Sequence, residues 1–269
     1  MFHKLLAFWK RDCQIEMTYR LAFFIQLGRT ITLFLSFFFI GKLFTQNGLP
    51  PQLAAYGGNY FQFVFLGITF SNLMTTAAGS LRQMVGSEMS NGTLEVILLT
   101  PTPFITLAMG KVWWDLGAIF VKTAGYLLIG AFLFRIDFSQ AHWTALLLIL
   151  SLSAATFLGF GMFSVGFNLI TRESNPIEFV FGWLSRFLAG VYFPIAVFPG
   201  WLKTLSAYLP LTYTLEAARK SLIGGAMMPG IGREIIVLAI FSLILLPTGF
   251  FFFSWAFDQA RRRGNLSLN

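Results

Sequence analysis

The sequence is poor in nearly everything from which a soluble enzyme or a secreted domain is built. It has one cysteine, Cys13, in 269 residues, which excludes an intrachain disulfide framework and fits a face kept in reducing cytoplasm. Its two histidines, His3 and His142, stand apart near the ends of apolar runs with no second ligand at metal spacing, so no metal site is expected. Only 11% of residues are charged, against roughly a quarter in soluble domains. No G-x-x-x-x-G-K-[ST] phosphate loop occurs: Gly41-Lys42 and Gly110-Lys111 lack both the glycine five residues earlier and the hydroxyl that follows. Neither a G-x-S-x-G elbow nor a histidine set beside a nucleophile supports hydrolysis. Clustered His, Asp or Glu near one membrane face, which an integral-membrane enzyme would display, is also missing. The chain is therefore read as a non-enzyme without a cofactor of its own; any ATP that powers it must be bound elsewhere.

What is abundant is apolar. Hydrophobic residues make up 56% of the chain, 33 of them Phe, and the mean hydropathy is +0.71, the profile of an all-α polytopic membrane protein. The formal charge of +8 does not point to nucleic acid, because the bases are scattered at the ends of apolar runs rather than gathered on one amphipathic surface. Six apolar segments, at about 21–44, 59–81, 104–134, 143–171, 177–198 and 233–256, are each long enough to cross roughly 30 Å of hydrocarbon at about 1.5 Å per residue. Before them, Leu5, Trp9, Cys13, Met17 and Leu21 recur every four residues, so residues 1–20 read as an amphipathic helix in the interface. No short apolar core with a small-residue cleavage site precedes the first span, and no cleaved signal is expected.

Lys and Arg set the orientation. Lys4, Lys10, Arg11, Arg20, Arg82, Arg172, Arg261, Arg262 and Arg263 lie on the N-terminal side, against Arg135, Lys203, Arg219 and Lys220 on the other. This positive-inside bias places both termini, including the basic tail 257–269, in the cytoplasm of a cell whose inner membrane carries the protein.

The polar stretch 82–103 lies on that cytoplasmic side. It carries Glu88, a breaker at Asn91-Gly92, then Thr93, which can cap a new helix with Glu95 in its first turn. Leu94, Ile97 and Leu98 follow at i, i+3, i+4 until Pro101 and Pro103 stop the run. A short helix lying flat at the membrane surface is the expectation, and a plain connector between two spans is the alternative.

The order Glu88, Gly92, Thr93, Leu94, Glu95, Leu98, Pro101, Gly110-Lys111 resembles the signature loop of the ABC-2 type permeases, the membrane subunits of ATP-binding-cassette exporters. A second patch, Phe193-Pro194, Pro199, Leu202, Pro210, Tyr213, Glu216, Arg219 and Gly224, is similar to the pattern between that family's last two spans. The resemblance implies that 82–103 forms a coupling helix docked on a separate ATPase subunit. It also implies two such ATPases, with ATP and Mg on them, and a second permease copy as homodimer partner. The segment 199–232 is too apolar and too proline-punctuated for an ordinary external loop. It is expected to form re-entrant helices covered by the bundle.

Charges within spans require pairing or hydration, since each costs several kcal/mol near the bilayer centre. Lys111 and Asp115 stand at i, i+4 and can neutralise one another; Lys122 and Arg186 should face the bundle or a polar cavity. Structural pairing and substrate contact are both open for these four, and a subunit interface lined by Phe and Met is a candidate greasy pathway. The leading reading is an exporter permease moving a lipophilic compound, drug or lipid. Polysaccharide or glycolipid export is the runner-up, with an integral-membrane enzyme or a channel behind it.

Overall fold

The computed structural model describes residues 20–46, 59–90, 104–171, 176–225 and 228–262, and among these there is helix and short connection but no strand. Eight α-helices follow in order: α1 Arg20–Gln46, α2 Tyr60–Ser90, α3 Phe104–Phe134, α4 Trp143–Thr171, α5 Pro176–Leu188, α6 Gly200–Ala207, α7 Pro210–Leu222 and α8 Gly232–Arg262. Short 3-10 turns at Ile195–Val197 and Met228–Ile231 join α5 to α6 and α7 to α8. Among the described residues five helices, α1 to α4 and α8, are long and apolar enough to cross a membrane. The amphipathic helix expected over residues 1–20 lies almost wholly outside the described residues, as does the tail beyond Arg262.

Three boundaries differ from the sequence reading. The fifth apolar segment, expected as one span over 177–198, is helical only from Pro176 to Leu188. Thirteen residues reach about 20 Å, short of the roughly 30 Å of hydrocarbon. Gly190, at φ +77°, turns the chain into the left-handed region, and Pro194 and Pro199 withhold the N–H groups needed to resume it. At the other end of the pattern, α2 runs on to Ser90, so Arg82 and Glu88 are helical rather than part of a loop. No Gly-Pro or Asn-Gly breaker interrupts that stretch before Asn91. The last helix likewise continues from the expected 256 to Arg262.

Local chemistry explains the helix ends. Asn59 caps α2, its Oδ1 accepting from the Phe61 and Gln62 amides at 3.0 and 3.4 Å. Pro210 occupies the first turn of α7, where its missing N–H costs nothing. Beyond α3 the left-handed residue is Arg135, φ 53°, and the Ile136 amide closes the turn on the Gly130 carbonyl at 3.0 Å, so a helix-end carbonyl is satisfied where the chain turns.

The long helices pack without a hydrophobic driving force between them, so close backbone approach matters. The glycines of α4 provide it on two sides. A Cβ at Gly159 would lie 2.5 Å from the Leu245 carbonyl of α8, and one at Gly249 only 2.2 Å from the Gly159 oxygen. Gly161 faces the other way, onto the Ala78 carbonyl of α2. At one end of the bundle Phe34 and Phe38 of α1, Phe61 and Phe65 of α2, and Phe134 of α3 pack ring on ring, with centroids 4.5 to 6.3 Å apart. Outward faces of α1, α3 and α8 remain apolar and exposed, for example Phe24, Phe132 and Phe251, as lipid contact requires.

Candidate functional site

The polar side chains of the bundle gather along α2, the most enclosed of the long helices, at three levels. At the first, Ser80 donates its hydroxyl to Asp115 Oδ2, while Lys111 Nζ lies 2.7 Å from Asp115 Oδ1. The expected Lys111–Asp115 pair is therefore formed. Asp115 is 7% exposed, and the serine hydroxyl satisfies the oxygen that the lysine leaves. From Tyr60 to Ser80 the helix rises about 30 Å, one hydrocarbon thickness. From Ser80 to Ser90 it projects about 15 Å further, with Arg82, Gln83 and Ser87 exposed and Glu88 half-buried.

At the second level, one and a half turns deeper, Arg186 of α5 donates from Nη2 to Thr75 Oγ1 at 2.7 Å. Its Nε is buried without a hydrogen-bond partner, as is the neighbouring Ser185 Oγ. Thr75 is exposed and Asn72 and Thr76 are half-exposed, so a polar strip of α2 opens beside the arginine.

At the third level Arg219 of α7 is 4% exposed and holds three carbonyls. Its guanidinium donates to Phe63 O at 3.0 and 3.3 Å, Gly190 O at 2.9 Å and Val191 O at 3.4 Å. It also lies over the Phe63 ring, 3.4 Å from the centroid. The carbonyls freed by the broken end of α5 thus find a charged donor, as backbone away from water must. Gly67 permits the approach, since a Cβ there would fall 2.3 Å from Val191 O.

The remaining residues of the second patch build the frame around this arginine. Pro194 and Pro199 stand immediately before the 3-10 turn and α6. Tyr213 donates to Ala207 O at 2.9 Å, and Ser206 donates to Leu188 O at 2.6 Å, joining α6 to α5 and α7. Lys220 sits 3.1 Å from Glu216 and 2.7 Å from Glu234 at the start of α8. Burial pulls the Lys220 value down, but hydrogen bonds and attraction from the two glutamates outweigh it and the net shift is upward. Its stabilisation is accordingly complete below the ordinary lysine value of 10.5 and is lost only as pH rises through the raised folded value.

Lys122 lines a cavity of about 250 Å³ between α1 and α3, together with Gln26, Leu27, Val121, Gly125, Tyr126 and Ile129. Of the signature stretch, Glu88 is on α2, whereas Gly92, Thr93, Leu94, Glu95, Leu98 and Pro101 lie outside the described residues. Sequence reasoning missed Ser80, Thr75, Gly67 and Glu234 as partners of the singled-out charges. The small-residue run of α2 was the available signal for the first three; nothing local marked Glu234.

Comparison with known proteins gives a consistent picture. A family model described as ABC-2 type transporter matches residues 3–223. Nodulation protein J of Rhizobium leguminosarum bv. viciae is 25% identical over 174 residues, 62% of this chain and 64% of that protein. Nodulation protein J of Rhizobium leguminosarum bv. trifolii is 25% identical over 184 residues, 66% and 68% of the two lengths. The alignment thus spans less than two thirds of the length of the first of these relatives.

Proposed function

Because the chain belongs to the ABC-2 type transporter family, we propose that it is the permease subunit of an ATP-driven exporter. It works as a homodimer bound to two copies of a separate ATPase, which carry the ATP and Mg. The family match over residues 3–223 carries this reading. The projection of α2 supports it: about 15 Å of helix beyond the hydrocarbon length brings Glu88 clear of the bilayer, where a soluble partner can reach it. ATP-driven closure of the two ATPases would push on this end of α2 and α3 and switch the dimer between inward- and outward-facing states. On this reading the broken fifth segment completes an even number of crossings and both termini are cytoplasmic, which the excess of Lys and Arg on that side supports.

The cargo is a lipophilic compound, drug or lipid handed outward between apolar helices. A second reading, export of a polysaccharide or glycolipid, is favoured by the strip Asn72, Thr75 and Thr76, whose amide and hydroxyls suit sugar better than acyl chain.

The test is co-purification with the ATPase. Glu88→Lys is expected to weaken recovery of the complex, since removing one partner of a charge pair closed inside an interface costs roughly 2–5 kcal/mol. Glu95→Lys is expected also to loosen the helix start. Both should leave the melting temperature of the membrane domain unchanged. Normal assembly and transport by both variants would reduce 82–103 to a connector, and ATP hydrolysis by the purified permease alone would remove the need for a partner.

A further inference from the structure

We infer that Arg186, positioned by Thr75, forms an anion-binding site in the inner half of the bundle, and that it receives the acidic headgroup, phosphate in class, of an amphiphile. The inference deepens the exporter reading and rests on it for the claim that this amphiphile is cargo; the binding itself does not.

Three observations carry it. The first is charge without a counter-charge. Along α5 the positions one turn before it, Gly182 and Trp183, carry no acid. Among the described residues the guanidinium meets a threonine hydroxyl and no carboxylate, and its Nε is buried with no acceptor. An arginine has five N–H donors and cannot shed its proton, so an ion in this place is stable only if an anion or water completes it. Arg219 is the contrast within the same fold, since its donors are taken up by three carbonyls.

The second observation is depth. Thr75 lies five residues from Ser80, about 8 Å inside the edge set by the Ser80–Asp115–Lys111 level. That is headgroup-accessible from the inner leaflet but too deep for a freely hydrated surface charge.

The third is shape. Next to the arginine, Asn72 and Thr76 offer further hydrogen bonds, Thr75 being committed to the guanidinium and to the Ser71 carbonyl, while on α5 Trp183 and Phe187 are exposed and their rings stack at 6.2 Å. A polar strip beside an aromatic face matches a molecule with an acidic head and an apolar tail. The forked guanidinium favours phosphate, which it can engage through two parallel N–H groups.

The experiment uses the full-length permease in phosphatidylcholine nanodiscs without any ATPase, and measures equilibrium binding of radiolabelled dodecyl phosphate. Saturable binding is expected, displaced by unlabelled dodecyl phosphate and not by dodecyl maltoside at the same concentration. Arg186→Gln, which keeps a donor for Thr75, should weaken binding at least about tenfold, the loss expected of a charge-assisted hydrogen bond. Arg186→Lys should be intermediate and Thr75→Val should weaken binding only a few-fold. If Arg186→Gln does not fold, Arg186→Lys must still lose affinity for the inference to stand. Unchanged binding by the folded variants, or equal displacement by the maltoside, overturns it. Inorganic phosphate competing as well as dodecyl phosphate would assign the site to a free anion and overturn the amphiphile; a requirement for far higher phosphate concentrations supports it. Loss of ATPase co-purification with anion binding intact would defeat the exporter reading alone. The reverse result would defeat this inference alone.

Discussion

Replacing Arg219 with methionine tests how the broken fifth segment is held inside the bundle. The substitution keeps much of the length of the side chain and removes every donor. Three carbonyls, those of Phe63, Gly190 and Val191, now face the guanidinium at 2.9 to 3.4 Å, and the site is 4% exposed, so water cannot readily replace it. A buried acceptor left unsatisfied costs about 1–3 kcal/mol. The three losses are not additive, because the segment around Gly190 can relax as a unit. The cation over the Phe63 ring contributes up to about 2 kcal/mol when desolvated. An overall loss of about 3–5 kcal/mol is therefore expected, the range seen when a buried charge network is broken. Arg219→Lys should recover only part of it, since one ammonium cannot span three carbonyls held in a fixed fork. The assay is thermal unfolding of the purified permease in nanodiscs, with limited proteolysis of residues 189–199 as a local readout. Methionine should lower the midpoint by several degrees and expose that segment to cleavage, lysine less so. A methionine variant with the parent midpoint and a resistant segment would show that packing of α6 and α7, not Arg219, secures the break.

Two further outcomes follow from packing and charge. Gly249→Leu should destabilise by at least about 1–3 kcal/mol as the added side chain forces α4 and α8 apart, whereas Gly28→Ala, where nothing lies within 4 Å, should be neutral or slightly stabilising; equal midpoints for the two variants would refute the close approach. Cysteines placed singly at Gln46 and Ser267, in a chain whose Cys13 is replaced by Ser, should be labelled by an impermeant maleimide from opposite faces of the membrane, and labelling of both from outside intact cells would overturn the orientation drawn from Lys and Arg.

Composition and periodicity were enough to make this an all-α multi-pass membrane protein. In lipid every backbone group must be satisfied within its own helix, and runs of twenty or more apolar residues admit few other solutions. The Lys111–Asp115 pair was legible for the same reason, because i, i+4 spacing on a helix fixes a distance. The order of small motifs around residues 82–103 and 193–224 was enough to suggest the family that the family model then matched over residues 3–223. Hydropathy read residues 177–198 as one unbroken helix, whereas the helix stops at Leu188. What ends that helix is not a change of polarity. It is one left-handed glycine, two prolines and an arginine 29 residues beyond that glycine, which satisfies the carbonyls the break exposes. Sequence set Arg219 in the re-entrant patch and Arg186 within the fifth segment, but showed the partner of neither. Their difference is tertiary: α7 directs Arg219 onto backbone carbonyls of α2 and the Gly190 turn, while α5 sets Arg186 against a threonine and, among the described residues, no acid. A local pattern fixes what lies one helical turn away, whereas the partner of a buried charge is chosen by whichever distant segment the packing of helices brings beside it.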